Sequence, residues 1–415
     1  MARDVRDESV FAAAERAARE SYGRLVAFVA KRTGDVAEAE DALSDAFAAA
    51  LKAWPRTGVP DRPDAWLLTV ARRKAADAGR KRRTGADAQP RLLIMAQELE
   101  AVNTASEIPD ERLALMFACA HPAIEQAVRA PLILQTVLGF DAAAVASAFL
   151  VSPAAMGQRL VRAKSKIKQA GVPFRLPERA DMGERLEAVL DAIYAAFAEG
   201  WTDPLGADTR RRNLAEEAIW LGRLVAHLMP DEPEALGLLA LMLHAEARRP
   251  ARRDAAGGFV PLADQNAALW NTPMLDEAET LIRRASAMRR IGRYQLEAAV
   301  QSAHAVRRLT GRADWPAILA LYEALYAITA SPVVALNRAV ALAEVEGPGA
   351  ALRDLDALDA ETFTAYQPYW AARAALLARA GWPEDAVTAY DRAIGLESDD
   401  AVRRFLQAKR DALVN

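Results

Sequence analysis

DAWLLTVARRKAADAGRKRR, running from Asp64 to Arg83, reads as one helix with two faces. Trp66, Leu67, Val70, Ala71, Ala75 and Ala78 recur at three- and four-residue spacing and make an apolar stripe. Arg72, Arg80 and Arg83 fall along another face, thickened by Arg73, Lys74, Lys81 and Arg82. Seven of the twelve residues from 72 to 83 are basic, and only Asp77 is acidic. A helix seated on a core by Trp66 and presenting such a face suits a phosphate backbone. The alternative is a solvated basic helix end, because cations near a helix C-terminus also stabilise the macrodipole.

Working outward, the preceding segment PRTGVPDRP, Pro55 to Pro63, carries three prolines and a glycine in nine residues and reads as a stiff loop. Before it, DVAEAEDALSDAFAAALKAWP, residues 35–55, reads as a helix with Asp35 as its N-cap. Ala39, Leu43, Ala46, Phe47, Ala50 and Trp54 form its apolar side, and Glu40, Asp41 and Asp45 are expected to face out. Those acids are either a solubilising surface or a negative patch for a basic protein partner. An earlier helix is expected from Glu15 to Lys31, broken by Thr33-Gly34-Asp35.

After the basic helix, residues 84–108 lose periodicity apart from a short piece around Leu92 to Leu99, and read as a tether. A second helical cluster runs from Asp110 to Gln169 and ends in a helix-turn-helix pattern. Asp141 caps AAAVASAFL, and a turn follows at Leu150-Val151. Ser152-Pro153 then opens the next helix with an N-cap and an N1 proline. In that helix Met156, Leu160, Ala163 and Ile167 point inward, while Gln158, Arg159, Arg162 and Lys166 point outward with Lys164 and Lys168 nearby. A major-groove recognition helix needs such donors on an exposed face. An ordinary amphipathic helix is the alternative.

The bulk composition agrees with helices throughout. Hydrophobic content is 52% with only 7% aromatic residues, which reflects heavy use of alanine, the best helix former. No well-bounded runs of alternating β-branched residues occur, so the fold class is all-α. At 415 residues, two or three domains are expected. The formal net charge of −3 hides an asymmetry: residues 1–172 carry 25 Lys+Arg against 21 Asp+Glu, and the remainder carries 28 against 35. Any basic partner surface therefore belongs to the first part.

Several classes are not supported. The single cysteine, Cys119, excludes an internal disulfide and a cysteine-rich zinc site. The four histidines, His121, His227, His244 and His304, form no ligand-spaced pair, so neither metal nor cofactor is expected. No Walker loop or recognisable catalytic carboxylate pair is present, and Gly257-Gly258 alone is a turn, so an enzyme is not expected. The charged start MARDVRDESV and the lack of a transmembrane-length apolar run lead to the expectation of a cytoplasmic protein without a membrane partner.

Gly171 to Asp181, GVPFRLPERAD, looks like a domain boundary, followed by helices to the end and one long loop around Arg252 to Asn271. Ala339, Ala351 and Leu355 recur 35 residues later as Ala374, Ala386 and Tyr390, with Trp370, Gly381 and Ala393 added in the second unit. Small residues where paired helices cross mark tetratricopeptide-like hairpins.

Two DNA-type helices on separate small domains joined by a tether resemble a bacterial RNA polymerase sigma factor of the extracytoplasmic-function type. Ala39-Glu40-Asp41 with Asp45 and Phe47 resemble the helix by which that family grips the polymerase clamp. Trp66-Leu67, Val70-Ala71-Arg72, Asp77-Ala78 and Arg80 resemble its minus-ten helix, and Arg159, Arg162 and Ala163 its minus-thirty-five recognition helix. Arg73 stands where the family usually has asparagine, and Ala144 where it usually has glutamate. The resemblance covers about residues 15–170. The remainder looks like the long helical extension of one subgroup, in which the stretch from Asp254 to Trp270 is typical, though Asn266-Ala267 replaces an expected acid and arginine.

The resemblance implies a region 2 domain over residues 10–84, a linker over 85–109 and a region 4 domain over 110–172. A helical extension over 180–300 and tetratricopeptide-like hairpins over 301–415 would follow. It implies that Glu40, Asp41, Leu43, Asp45 and Phe47 contact polymerase core, at its clamp, with a second contact at its flap. Promoter DNA would be met by Arg72, Arg73, Lys74, Arg80, Arg83, Gln158, Arg159, Arg162 and Lys166, and a protein partner by the C-terminal hairpins. A stand-alone DNA-binding regulator with a C-terminal sensor is the other reading. It gives no reason for residues 35–83.

Overall fold

The computed structural model describes residues 14, 21–82, 110–149, 151–178, 180–201, 209–358 and 360–414. Among them the chain is all-helical, as the alanine-rich composition implied, and the sole β pairing is an isolated bridge between Arg253 and Phe259. The expected tether and the Leu92–Leu99 piece lie outside the described residues, as do Ala18 and most of the start of the first helix.

The chain divides into two compact units. The first contains residues up to Gly200 together with Arg210–Ala218, and the second contains Trp201–Thr209 and Ile219–Asn415. This division falls further along the chain than the Gly171–Asp181 segment.

In the first unit, α1 is described over 21–33. It is followed by α2 (Val36–Thr57), α3 (Pro63–Arg82), α4 (Arg112–Cys119), α5 (Gln126–Leu138), α6 (Ala142–Ala148), α7 (Pro153–Gln169) and α8 (Met182–Trp201). Residues 25–30 of α1 and 113–119 of α4 are buried on every side, which marks central helices. The approach is closest where α1 crosses the end of α5. A Cβ on Gly23 would sit 1.9 Å from the carbonyl oxygen of Val137, so only glycine fits. Gly139 ends α5 in the left-handed conformation at φ 75°.

Pro55 does not end α2. The helix continues to Thr57 and stops at Gly58, whose N–H reaches the Trp54 carbonyl at 2.9 Å. A proline in the last turn forfeits one intrahelical bond near an end that frays in any case. The connection to α3 is thus shorter than the proline pattern suggested.

The second unit begins within α9 (Thr209–Leu228) and continues with α10 (Pro233–Ala247), α11 (Thr272–Ala287), α12 (Arg293–Ala305), the single turn α13 (Arg307–Thr310) and α14 (Trp315–Thr329). It closes with α15 (Pro332–Val345), α16 (Pro348–Asp356), α17 (Gln367–Arg379), α18 (Pro383–Leu396) and α19 (Asp400–Val414). Residues 235–244 of α10 are all buried between α11 and α12.

The Glu234 carboxylate accepts from the backbone N–H of Tyr294 at 2.9 Å and of Gln295 at 3.1 Å, capping α12 from a neighbouring helix. Ala339, Ala351 and Leu355 and their counterparts Ala374, Ala386 and Tyr390 are all buried in one core, together with Ala393. Their 35-residue spacing therefore reflects two successive hairpins sharing a packing seam.

The loop from Arg252 to Asn271 is pinned rather than open. Asp254 accepts from Ala256 N at 2.9 Å and Gly258 N at 2.7 Å. Arg307 donates to the carbonyl of Leu262 at 2.7 Å and also to Ala263 and Gln265. Phe259 packs edge-on against Phe405 of α19, and Trp270 is buried. Arg307, 42 to 45 residues beyond the carbonyls it bonds, carries no sequence signal for this role.

Candidate nucleic-acid interface

Asp35 caps α2 as its sequence position required, accepting from Glu38 N at 3.2 Å. Asp41 and Asp45 face solvent, and with Glu38 and Lys74 they border a groove of about 340 Å³ between α2 and α3. The Asp45–Lys74 pair, at 3.5 Å with both side chains about half exposed, contributes little stability.

Glu40 departs from the expected outward placement. Its carboxylate is turned onto the Nζ of Lys164 on α7, and both side chains are largely buried. Burial pushes the Glu40 carboxyl above the usual range, although Lys164 pulls it the other way. Leu43 is fully buried and Phe47 half-buried, so both serve the core of the first unit in this arrangement.

On α3 the apolar stripe is carried by Leu67, Leu68, Ala71 and Ala75, which are buried, while Trp66 and Val70 are only half-buried. Arg72, expected on the open basic face, is 4% exposed instead. It lies one helical turn beyond Leu68 and beside Ala71 and Ala75, so the helix phase carries it inward. There its guanidinium stands 5.7 Å from the Phe28 ring centroid, on a ring that Arg32 approaches to 3.4 Å. Arg73 and Lys74 are exposed. The side chain of Arg80, and Arg83 altogether, lie outside the described residues.

α6 and α7 carry the expected caps, while Leu150 of the turn expected between them lies outside the described residues. Asp141 accepts from Ala144 N at 2.6 Å and Ser152 Oγ from Ala155 N at 3.3 Å, and Pro153 opens α7. Met156, Leu160, Ala163 and Ile167 are buried, and Gln158, Arg159, Arg162 and Lys166 are exposed on the opposite side. α7 therefore offers one open row of donors on a helix anchored from behind.

Lys164 does not belong to that row. It follows Leu160 by four residues and Met156 by eight, so the same periodicity that found the core would have placed it on the buried side. Cys119 is buried beside Thr136, 3.4 Å between side-chain atoms, and burial pushes its thiol up to about 12, so it is an inert core residue. Among the described residues, no group of three or more His, Cys, Asp or Glu side chains could hold a metal ion, and no helix is long and apolar enough to cross a membrane.

Residues 18–84, which contain the described part of α1 and all of α2 and α3, match sigma-70 region 2, which supports a sigma-70 family member with a sigma-factor-like role in transcription initiation. Residues 185–286 match a family of unknown function, DUF6596. The chain is 40% identical over 380 residues to the uncharacterized protein R00370 of Rhizobium meliloti (strain 1021), covering 90% of each, and it belongs to one family with that protein. No solved structure matches it.

Proposed function

We propose that this protein is a sigma factor of the extracytoplasmic-function type, a non-catalytic subunit that binds RNA polymerase core, directs it to promoters and assists opening. The observation that carries this reading is the pairing, in one chain, of the region 2 match on α2 and α3 with a second capped helix, α7, that leaves Gln158, Arg159, Arg162 and Lys166 open. In this reading α2 meets the polymerase clamp through Asp41 and Asp45, with Glu40 joining once it is released. The basic end of α3 meets the minus-ten element, and α6 and α7 act as the helix-turn-helix for the minus-thirty-five element. The flap is the second polymerase contact.

The helices from about residue 180 onward, α8 to α19, are the fused extension. Its hairpins, α15 with α16 and α17 with α18, share a seam of alanines, which supports a tetratricopeptide-like array that takes a protein partner and modulates the factor's activity.

Copurification with polymerase core, followed by transcription from promoters selected by the reconstituted holoenzyme, tests the proposal. Retention on core and promoter-dependent initiation are expected. A protein that binds DNA by itself and never associates with core would be a stand-alone regulator instead.

A further inference from the structure

Two lysines of α7 meet Glu40 of α2 and the Asp35 that caps it. Lys164 Nζ pairs with Glu40 Oε2, and one turn further on Lys168 Nζ donates to Asp35 Oδ2 at 2.6 Å. The first pair is largely withdrawn from water, with side chains 10% and 15% exposed, and the second oxygen of Glu40 is buried with no hydrogen-bond partner. Asp35 is itself buried, while the Lys168 side chain is 54% exposed. The four-residue step on one helix matches the five-residue step on the other, so the contact has a register. It also belongs to an extensive association, because Gly23 backs directly onto Val137 O and Lys31 reaches Glu111 at 2.8 Å.

We propose that α7 is an internal cover for the Glu40 side of α2: Lys164 and Lys168 occupy Glu40 and Asp35 in the free protein, and must let go before Glu40 can join the open Asp41 and Asp45 against a basic helical surface of polymerase core. This rests on the reading of α2 as the polymerase-binding helix.

The physical chemistry suits a cover better than a weld. A buried ion pair gains little over an apolar contact, because desolvation offsets most of the attraction. Removing one partner is another matter, since the remaining charge stays buried and uncompensated. Opening rehydrates that charge, so loss of Lys164 favours the open form. A partner that brings its own cation to Glu40 does the same while staying bound. The closed state then lowers the apparent affinity for core by the fraction of open molecules. The row Gln158, Arg159, Arg162 and Lys166 takes no part in the contact with α2, so a Lys164 variant separates the cover from DNA recognition.

The test uses the full chain. Ser44→Cys on α2 and Ser165→Cys on α7 are both exposed positions and carry a donor and an acceptor dye, while buried Cys119 stays unlabelled. The Lys164→Ala, Lys168→Ala double variant is expected to lose energy transfer between the dyes and to bind polymerase core about tenfold more tightly. Lys168→Ala alone, a change at an exposed side chain, should move both readings the same way but less. Lys164→Arg should restore them, and circular dichroism should show the same helix content throughout. Unchanged transfer and unchanged affinity in the folded double variant overturn the cover. Loss of transfer with no core binding by any form, wild type included, overturns instead the assignment of α2 to polymerase, which the dyes do not read.

Discussion

Trp54 and Trp66 meet edge to face, ring centroids 5.5 Å apart and planes at 63°, and they pin α3 to α2 with unequal burial. Trp54 is 1% exposed whereas Trp66 is half-buried. Trp54→Ala should therefore cost about 3–5 kcal/mol, the range for removing a buried aromatic side chain. Trp66→Ala should cost clearly less, losing part of its burial and an aromatic contact of about 0.5–1.5 kcal/mol. Urea unfolding followed by circular dichroism ranks the two, and a larger loss at Trp66 would contradict the packing.

Arg72 and its neighbours should separate stability from DNA binding. Arg72→Ala empties a buried position beside Phe28 and should lower the unfolding midpoint. Arg73→Ala and Lys74→Ala, at exposed positions, should leave that midpoint alone, and under the proposed function each should flatten the salt dependence of holoenzyme–promoter binding by about one charge. The slope of log affinity against log salt, measured beside a melt for each variant, decides between the two roles.

In the proposed reading of α7 as a recognition helix, Arg159 lies in the first two turns, the part that reaches base edges, and Arg162 lies beyond it. Arg159→Ala should relax preference in the upstream element at about 1–3 kcal/mol for a lost base contact. Arg162→Ala should weaken all promoters alike. Competition binding across a set of upstream-element variants shows which pattern each substitution follows.

In the second unit, Glu234 and Gly237 lock α10 to the start of α12. Glu234→Ala leaves the Tyr294 and Gln295 N–H groups without their acceptor and should cost about 1–3 kcal/mol. Gly237→Ala puts a methyl 2.6 Å from Gln295 N, an overpacking that should also cost about 1–3 kcal/mol. Unfolding curves of the full chain should show both losses, and a neutral Gly237→Ala would mean that the two helices can part without penalty.

Acid should destabilise the second unit through two histidines. His244 Nε2 lies 3.5 Å from Glu279, yet that carboxylate already accepts from Ser302 Oγ at 2.7 Å. Burial, with Arg248 and Arg308 nearby, pushes the imidazole down to about 3, so it is neutral. Burial and Arg248 likewise push His304 down to about 4. Both groups bind protons more readily unfolded than folded, so their contribution to stability is level above about pH 6.5 and falls as pH drops from there toward 4. The limiting slope is about 1.4 kcal/mol per pH unit for each histidine. Melting temperatures between pH 7.5 and 4.5 should show this fall, and His244→Met should flatten it.

Features set by local chemistry are legible along the chain. Asp35, Asp141 and Ser152 each cap the helix they precede, because a cap needs only its own side chain and the N–H two or three residues on. The row from Met156 to Ile167 is buried because apolar residues at helical spacing have one place to go, and the 35-residue alanine repeat reports a packing seam for the same reason. Tertiary structure alone decided what stands opposite those faces. Periodicity gives the direction of a side chain and says nothing of its neighbour across a gap in sequence. Hence the sequence pattern leaves Arg72 and Glu40 on open faces, yet one lies against Phe28 and the other on Lys164, 124 residues away. A buried charge depends on a partner that only the fold supplies, so whether a charged residue on a helix serves the surface or the interior is settled in three dimensions.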